Sequence, residues 1–281
     1  MAQVDYRYAG ADFALALHMA EPGLHRYDRH SHDEYSIIVV TTGAKILRVG
    51  PQVLSVRPGQ IVVVPPGASH DCEPDDGTAW SHRCLYVSPE LMACATGDRR
   101  YASAPPRLSH VVDAPRLAAA IVRWHGHRFA DAGTGLDEEG AALVARLMEA
   151  ALLDEPAPSA AMASLRPASR RIPDYLRLLQ RNLASPLDLD RLAERAGVSK
   201  FQVIRDVRAT MHTTPGRLLR DLRLREAKRL IRGRVPVAHV PTLTGFSDQS
   251  HLIRAFKSAY AITPGVYQRA GATVPSFDPL D

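Results

Sequence analysis

The sequence has few cysteines and lacks long apolar runs. Only three of its 281 residues are cysteine, an odd number without paired spacing, so a disulfide framework is not expected. No apolar run approaches the roughly 20 residues of a membrane-spanning helix, and the N-terminus lacks the basic-then-apolar pattern of a signal peptide. We therefore expect a cytoplasmic protein with no membrane partner.

Charge is divided unevenly along the chain. Residues 1–165 hold 14 Lys or Arg and 20 Asp or Glu, a net charge of −6, whereas residues 166–281 hold 21 and 10, a net charge of +11. The chain is long for a single hydrophobic core, so two domains are expected. An acidic part joined to a basic part is typical of a phosphate-binding module attached to a module with another task.

The basic half contains one local pattern twice. The pattern occupies residues 197–205 and 245–254. Each copy begins with a glycine turn, continues with a serine expected to cap a helix (Ser199 and Ser247), and ends with an arginine in that helix. The arginines, Arg205 and Arg254, lie 49 positions apart, as do the Thr-Pro-Gly triplets at 214–216 and 263–265. Candidate first helices precede the copies at 189–196 and 237–244. The pattern predicts two helix-turn-helix units, which insert a helix into the DNA major groove.

The second copy carries a resemblance to a known family. Residues 245–251 (Gly-Phe-Ser-Asp-Gln-Ser-His) and 264–267 (Pro-Gly-Val-Tyr) resemble the signature of the AraC/XylS family of bacterial transcription regulators. The resemblance covers about residues 170–270. It implies an all-α C-terminal domain with two helix-turn-helix motifs joined by a central helix, and a regulator rather than an enzyme. No catalytic residue, metal ligand or cofactor is predicted.

Nine residues of the two second helices are predicted to contact DNA. Arg205 and Arg254 lie mid-helix on the exposed face, where each can form a bidentate pair with guanine, and Gln202 and Gln249 can bond adenine. Phe201 either packs on a thymine methyl group or belongs to the core. Basic residues nearer the helix ends are expected to bind phosphates and to give the salt dependence. The full set is Lys200, Phe201, Gln202, Arg205, Arg208, Gln249, Ser250, Arg254 and Lys257.

Three positions depart from the family's pattern. Pro241 lies inside the predicted first helix of the second unit, where it removes a hydrogen bond and is expected to kink the helix. Asp206 places a negative charge in the first reading helix, near the expected phosphates. Ile253 stands where a small polar residue is common. These departures are expected to affect DNA affinity and not the fold.

Residues 1–90 predict short β-strands. Apolar or alternating runs at 14–19, 35–41, 45–49, 60–64 and 83–87 are separated by turns rich in Gly and Pro, as in a small barrel or sandwich. The spacing Gly59-x5-Pro65-x-Gly67-x2-His70 and the stretch 30–43 resemble the two motifs of cupin barrels, and the region resembles the sensor barrels of AraC-type regulators. The resemblance implies a cupin-like β-barrel that senses a small-molecule effector.

Four residues of this region are candidates for ligand binding. His30, His32 and Glu34 alternate along the chain, so on a strand they share one face, and His70 would arrive from another strand. They can form a polar pocket, bind a divalent metal, or be solvated residues at a strand end. We predict the first: an effector site of His30, His32, Glu34 and His70, without a metal.

A second pattern joins histidine and cysteine. His70-x-Cys72 and His82-x-Cys84 flank a turn-rich stretch. If their strands pair, two imidazoles and two thiols converge, as in a zinc site or a thiol-reactive sensor. The favoured interpretation is that the cysteines are ordinary buried residues of the barrel wall.

Residues 113–153 predict two helices, capped by Asp113 and Asp137. The second helix has an apolar stripe, which must be buried against the barrel or against a second copy of the chain. The family resemblance favours a homodimer. The stripe consists of Leu143, Val144, Leu147, Met148 and Leu152. Residues 154–169 are rich in Pro, Ala and Ser and predict a linker.

The predicted fold is α+β and multidomain. It comprises a cupin-like sensing barrel (1–112), a helical dimerisation or packing segment (113–153), a linker (154–169), a double helix-turn-helix DNA-binding domain (170–270) and a tail (271–281). The predicted function is a sequence-specific transcription regulator with promoter DNA, an effector, a second copy and RNA polymerase as candidate partners. The rivals are a metal-dependent cupin enzyme or a metal- or thiol-reactive sensor fused to the DNA-binding module, and a constitutive regulator with a structural barrel.

Overall fold

The structure is a computed structural model that describes residues 4–8, 13–103, 105–131, 135–153 and 167–270. The predicted tail and all but the last three residues of the predicted linker lie outside the described residues.

Antiparallel strands dominate the N-terminal part. A six-stranded sheet has the order β1-β2-β9-β4-β7-β10, and a four-stranded sheet has the order β3-β8-β5-β6. The strands are β1 (Val4–Tyr8), β2 (Phe13–Gly23), β3 (Tyr27–His30), β4 (Tyr35–Thr42), β5 (Lys45–Val49), β6 (Gln52–Val56), β7 (Gln60–Val64), β8 (His70–Pro74), β9 (Trp80–Val87) and β10 (Val111–Asp113). Every predicted strand is present, and β5 and β7 have the predicted bounds.

One interpretation of this region is wrong. His30, His32 and Glu34 would share a face only on one continuous strand, but β3 ends at His30 and β4 begins at Tyr35, so residues 31–34 form a loop. The alternation of His30, His32 and Glu34 therefore does not place them on one strand face.

The central strand β4 of the six-stranded sheet is buried on both faces. Along β4, Ile37 and Val39 point to one core, and Ile38 and Val40 point to the other, as the period of two requires. The first core lies between the sheet and four helices: α1 (Pro89–Thr96), α2 (Arg100–Ser103), α3 (Pro115–Asp131) and α4 (Glu138–Ala151). The second core lies between the two sheets.

The helices α3 and α4 cover their own sheet. Four residues of the predicted stripe, Leu143, Val144, Leu147 and Met148, are buried in the core that also contains β7. The fifth, Leu152, follows the end of α4 and is 39% exposed. A dimer would therefore have to use another surface. Asp137 caps α4 as predicted, accepting a hydrogen bond from the Gly140 N–H, whereas Asp113 is the last residue of β10.

Seven helices form the C-terminal part of the described chain. They are α5 (Pro167–Arg181), α6 (Leu189–Ala196), α7 (Lys200–Met211), α8 (Pro215–Arg232), α9 (Val240–Thr244), α10 (Gln249–Tyr260) and α11 (Pro264–Ala270). The first helix-turn-helix unit, α6 and α7, shares a core with α5 and the start of α8. Thr214 caps the central helix α8, and Pro215 is its first residue.

The second helix-turn-helix unit packs on the strands. Its core residues Leu252, Phe256 and Tyr260 belong to the same continuous apolar cluster as Tyr27 and Tyr86 of the two sheets. The two predicted domains are thus joined by a shared core as well as by the chain. None of the helices in the described part of the chain combines the length and apolar character needed to cross a bilayer.

Candidate DNA-binding and ligand-binding sites

The two predicted reading helices are equivalent in length and position. Both α7 and α10 have 12 residues, and each ends in a non-glycine residue with left-handed backbone, His212 (φ 50°) and Ala261 (φ 60°). Ser199 caps α7 as expected, accepting a hydrogen bond from the Gln202 N–H. For α10 the expected cap is wrong: Asp248 accepts from the His251 N–H, and the Ser247 hydroxyl donates to the Asp248 carboxylate.

The nine predicted DNA contacts lie on the solvent side of these helices. Eight of them are exposed, and Gln202 is half-buried. Phe201 is 64% exposed, so it is not part of the core. The exposed aromatic ring and the exposed arginines of these helices are available to methyl groups and base edges, as direct readout requires.

Asp206 does not face the expected phosphates. Its carboxylate is 1% exposed and accepts hydrogen bonds from Arg171 Nε (2.7 Å), Tyr175 Oη (3.0 Å) and Gln202 Nε2 (2.7 Å). Burial raises the pKa of Asp206, but the bonds from Arg171 and Gln202 outweigh burial, and the net pKa lies below the ordinary value. The expectation of a repulsive surface charge is therefore wrong, because the charge joins α5 to α7.

Pro241 does not kink a helix. The helix α9 begins only at Val240, so Pro241 lies in its first turn, where a proline removes no intrahelical bond. The predicted helix at 237–244 is correspondingly shortened. The Pro241 carbonyl accepts hydrogen bonds from both the Gly245 and the Phe246 N–H, which closes the turn before α10.

The side chains of three histidines converge where β3, β8 and the 31–34 loop meet. The rings of His30, His32 and His70 are all buried, and one candidate donor atom of each lies within 4.8 Å of the others. Nε2 of His30 is 3.1 Å from Nε2 of His32. The pKa of His70 is held well below its ordinary value, first by burial and then by the neighbouring His30.

Glu34 lies apart from this cluster. Its carboxylate accepts hydrogen bonds from Lys228 Nζ at 2.8 and 2.9 Å, and so bridges the 31–34 loop to α8. Burial raises the pKa of Glu34, but attraction to Lys228 and its hydrogen bonds outweigh burial, so the pKa lies below the ordinary value.

Two more contacts join the 31–34 loop to α8. The Ser31 N–H and hydroxyl both donate to Asp221, at 2.8 and 2.5 Å, and Arg225 donates to Asp33. Asp221 is buried against the loop. We call these contacts, together with Glu34–Lys228, the interdomain contact.

Tyr260, the last residue of α10, closes the histidine cluster from the DNA-binding side. Its ring centroid lies 5.4 Å from that of His30 and 5.7 Å from that of His32. Its hydroxyl is buried without a hydrogen-bond partner in the described residues. The sequence carries no local signal for this contact, because 228 or more positions separate the residues.

The second histidine–cysteine pattern does not form a metal site. Cys72 and Cys84 lie on β8 and β9, which belong to different sheets and do not pair as the prediction required. Burial raises the pKa of Cys72 to about 11 and that of Cys84 to about 12, so both remain thiols. Among the described residues, the cluster suited to a metal contains the three histidines alone.

A buried lysine was missed by the sequence analysis. Lys45 is fully buried, its Nζ lies 4.9 Å from the centre of a Trp80 ring, and it has no hydrogen-bond partner in the described part of the chain. Trp80 is in turn stacked between His25 (4.3 Å) and His82 (4.7 Å). Lysine at an inward position of an alternating strand was the available signal.

Comparisons with known proteins decide the family. A model described as AraC-like ligand binding domain matches residues 13–157, and one described as helix-turn-helix domain matches residues 192–270. The chain belongs to the AraC family. It is therefore a DNA-binding transcription regulator with an N-terminal ligand-binding domain, and the alternative of an enzyme is not favoured.

Known proteins match most of the length of this chain. The HTH-type transcriptional regulator YbfI of Bacillus subtilis is 27% identical over 234 residues, covering 82% of each chain. The MmsAB operon regulatory protein of Pseudomonas aeruginosa is 24% identical over 253 residues, covering 87% of this chain and 78% of that protein. ToxT of Vibrio cholerae, solved bound to an unsaturated fatty acid, aligns with a TM-score of 0.55 and 11% identity over 96% of this chain and 100% of its own. At this identity the likeness shows the fold.

Proposed function

We propose that this AraC-family regulator changes its promoter affinity when a small ligand occupies the site formed by His30, His32 and His70, with Glu34 at its edge. The observation that carries the proposal is the position of Tyr260. This residue ends the second reading helix and lies directly against His30 and His32. A ligand bound by the histidines would therefore change the packing of a helix that reads DNA.

The regulator with the interdomain contact formed is one state, and the regulator with this contact broken would be a second state. A ligand shifts an equilibrium only if it binds one state better than the other. With the 31–34 loop bonded to α8, the second unit is held on the sheets. Release of this contact, together with separation of the apolar core that the second unit shares with the strands, would let the two units reorient relative to the sheets. A ligand that moves Glu34 or the histidine rings would favour one of these arrangements.

DNA recognition is assigned to α7 and α10. Arg205 and Arg254 would bond guanine, and Gln249, Ser250 and Gln202 would bond neighbouring base edges, although Gln202 must first release Asp206. Phe201 would pack on a thymine methyl group. Lys200, Arg208 and Lys257 would hold phosphates. These roles are supported by the exposure of the side chains and the equivalent placement of the helices.

Capture of genomic fragments by the purified full-length protein, followed by sequencing, tests these assignments. Arg254→Ala is expected to lose preference at one base pair, worth about 1–3 kcal/mol. Lys257→Ala is expected to weaken binding to all fragments alike and to lower the salt slope by about one. Arg116→Ala, an exposed arginine on α3, is the matched control. An equal loss on every fragment for Arg254→Ala would refute its role in reading bases.

Three finer assignments extend the proposal. Membership of the family supports a homodimer, contact with RNA polymerase and a cytoplasmic location. The dimer would have to use a surface other than the buried stripe of α4. The fatty acid bound by ToxT is a property of that protein. The imidazole cluster here favours a different ligand chemistry.

A further inference from the structure

The histidine cluster has the spacing of metal ligands. Two imidazole nitrogens bound to one tetrahedral zinc ion, each at about 2.0–2.1 Å, lie about 3.3 Å apart. Nε2 of His30 and Nε2 of His32 are already 3.1 Å apart, and a nitrogen of His70 completes a triangle with all separations within 4.8 Å. Movement of the His70 ring towards the other two rings would complete a site of three nitrogen ligands.

Hydrogen bonds to backbone carbonyls determine which ring nitrogens of His30 and His70 face the cluster. Nδ1 of His30 lies 2.6 Å from the Asp28 carbonyl, and Nδ1 of His70 lies 2.9 Å from the Ala68 carbonyl. Since a carbonyl only accepts, each Nδ1 carries the proton, and each Nε2 presents a lone pair. Metal-bound histidines are typically oriented by such a hydrogen bond from the nitrogen that does not bind the metal.

The three imidazoles come from three separate segments, β3, the 31–34 loop and β8. Tyr260 covers His30 and His32, and its buried hydroxyl has no hydrogen-bond partner in the described residues. Three neutral nitrogen donors suit zinc, nickel, cobalt or iron(II), and do not suit calcium or magnesium, which prefer oxygen.

From this geometry we infer that His30, His32 and His70 bind one divalent transition-metal ion at the junction of the sheets and the second DNA-reading helix. The inference rests on the proposed function only in taking this junction as the effector site. Binding of the ion itself requires no DNA. It would draw the His70 ring towards His30 and His32 beneath Tyr260, and would thereby alter how the end of α10 packs on the sheets.

Titration of the metal-free, full-length protein with Co²⁺ alone tests the site. One equivalent per chain is expected to produce the visible absorption of nitrogen-coordinated cobalt, and one equivalent of Zn²⁺ is expected to abolish it. His70→Gln and His32→Gln are each expected to remove the band. His127→Gln, which replaces an exposed histidine on α3, is the control and should keep it. Circular dichroism of each variant establishes that it is folded.

The possible outcomes test the metal site separately from the proposed regulatory function. Absence of a stoichiometric band, or a band that persists in both His70→Gln and His32→Gln, would overturn the metal site, while DNA binding that responds to an organic ligand would leave the proposed function intact. Stoichiometric binding with at least a tenfold change in DNA affinity in the presence of Zn²⁺, lost in His32→Gln, would support both. Stoichiometric binding without any change in DNA affinity would support the site and refute its coupling to α10.

Discussion

Glu34 and Lys228 form an ion pair across the two domains, with 2.8 Å between Oε2 and Nζ, although 194 positions separate them along the chain. Only 15% and 8% of their side-chain surfaces are exposed, so solvent screens the pair weakly. A buried pair of this kind contributes little compared with an apolar replacement of both residues, but removal of one partner leaves an uncompensated charge.

Glu34→Leu or Lys228→Met alone is therefore expected to lower the free energy of unfolding by about 3–5 kcal/mol. The double replacement removes both charges and should lose less than either single change. Urea denaturation of the wild type, both single variants and the double variant completes the cycle. Additive losses would show that the two charges do not depend on each other.

Asp206→Ala is expected to destabilise the first helix-turn-helix unit by about 3–5 kcal/mol, because Arg171 would lose its partner and the hydroxyl of Tyr175 would lose an acceptor. Asp190→Ala is the control, since its side chain is 80% exposed and it pairs only loosely with Lys200 at 3.4 Å. Urea unfolding at neutral pH gives the free energy of unfolding of each variant. Equal stability of the two variants would contradict the assigned role of Asp206.

The pH dependence of this contribution follows from the sign of the shift. The pKa of Asp206 is lower in the folded chain than the ordinary value of about 3.9, so the unfolded chain binds more protons in acid. The stabilisation is complete above about pH 4 and is lost as the pH falls through the folded pKa. The stability difference between wild type and Asp206→Ala should consequently stay constant from about pH 6 to 8.

Gly140 and Gly126 offer a matched pair for the packing of α3 and α4. A Cβ at Gly140 would lie 2.3 Å from Cζ2 of Trp124, whereas one at Gly126 meets nothing within 4 Å. Gly140→Ala should lose about 1–3 kcal/mol through overpacking. Gly126→Ala should gain about 0.5–1 kcal/mol, since alanine is the better helix former. Thermal unfolding of the two variants gives the comparison, and shifts of the same sign would contradict the predicted packing.

Local patterns were the predictable part of this molecule. The caps Ser199 and Asp137 were predicted correctly because a cap depends on residues three positions away. The 49-residue repeat identified both reading helices because each copy is itself a short local pattern. Ser247 was chosen in place of Asp248 because both are good caps and they are adjacent, which leaves the choice to the exact path of the turn.

Contacts between distant elements could not be predicted. Asp206 looked like an exposed charge because its partner Arg171 lies on another helix, and the helical period alone did not show that position 206 faces inward. Glu34 was grouped with His30 and His32 by a strand period that ends at His30. The convergence of Tyr260 with the histidines depends on how the second unit docks on the sheets, which no local spacing encodes.

Lys45 provides the last test, because it is fully buried and has no hydrogen-bond partner among the described residues. Burial lowers its pKa, and Cys72 and Cys84 oppose the shift only partly. Lys45→Met keeps the length of the chain and removes the amine, so we expect a gain of about 1–3 kcal/mol in the free energy of unfolding. Lys257→Met, at an exposed position on α10, should change stability by less than about 0.5 kcal/mol.

The gain in the free energy of unfolding from Lys45→Met should also depend on pH. Because the folded pKa of Lys45 lies below the ordinary value of about 10.4, the unfolded chain binds more protons, and the stability of the wild type rises with pH towards that value. The other titratable groups that interact with Lys45 are His25, His70, Cys72 and Cys84. Lys45→Met lacks the linkage, so its advantage in urea unfolding should shrink between about pH 7 and pH 9.5. An advantage that grows with pH, or a variant less stable than the wild type, would mean that the ammonium is charged and held by a favourable contact.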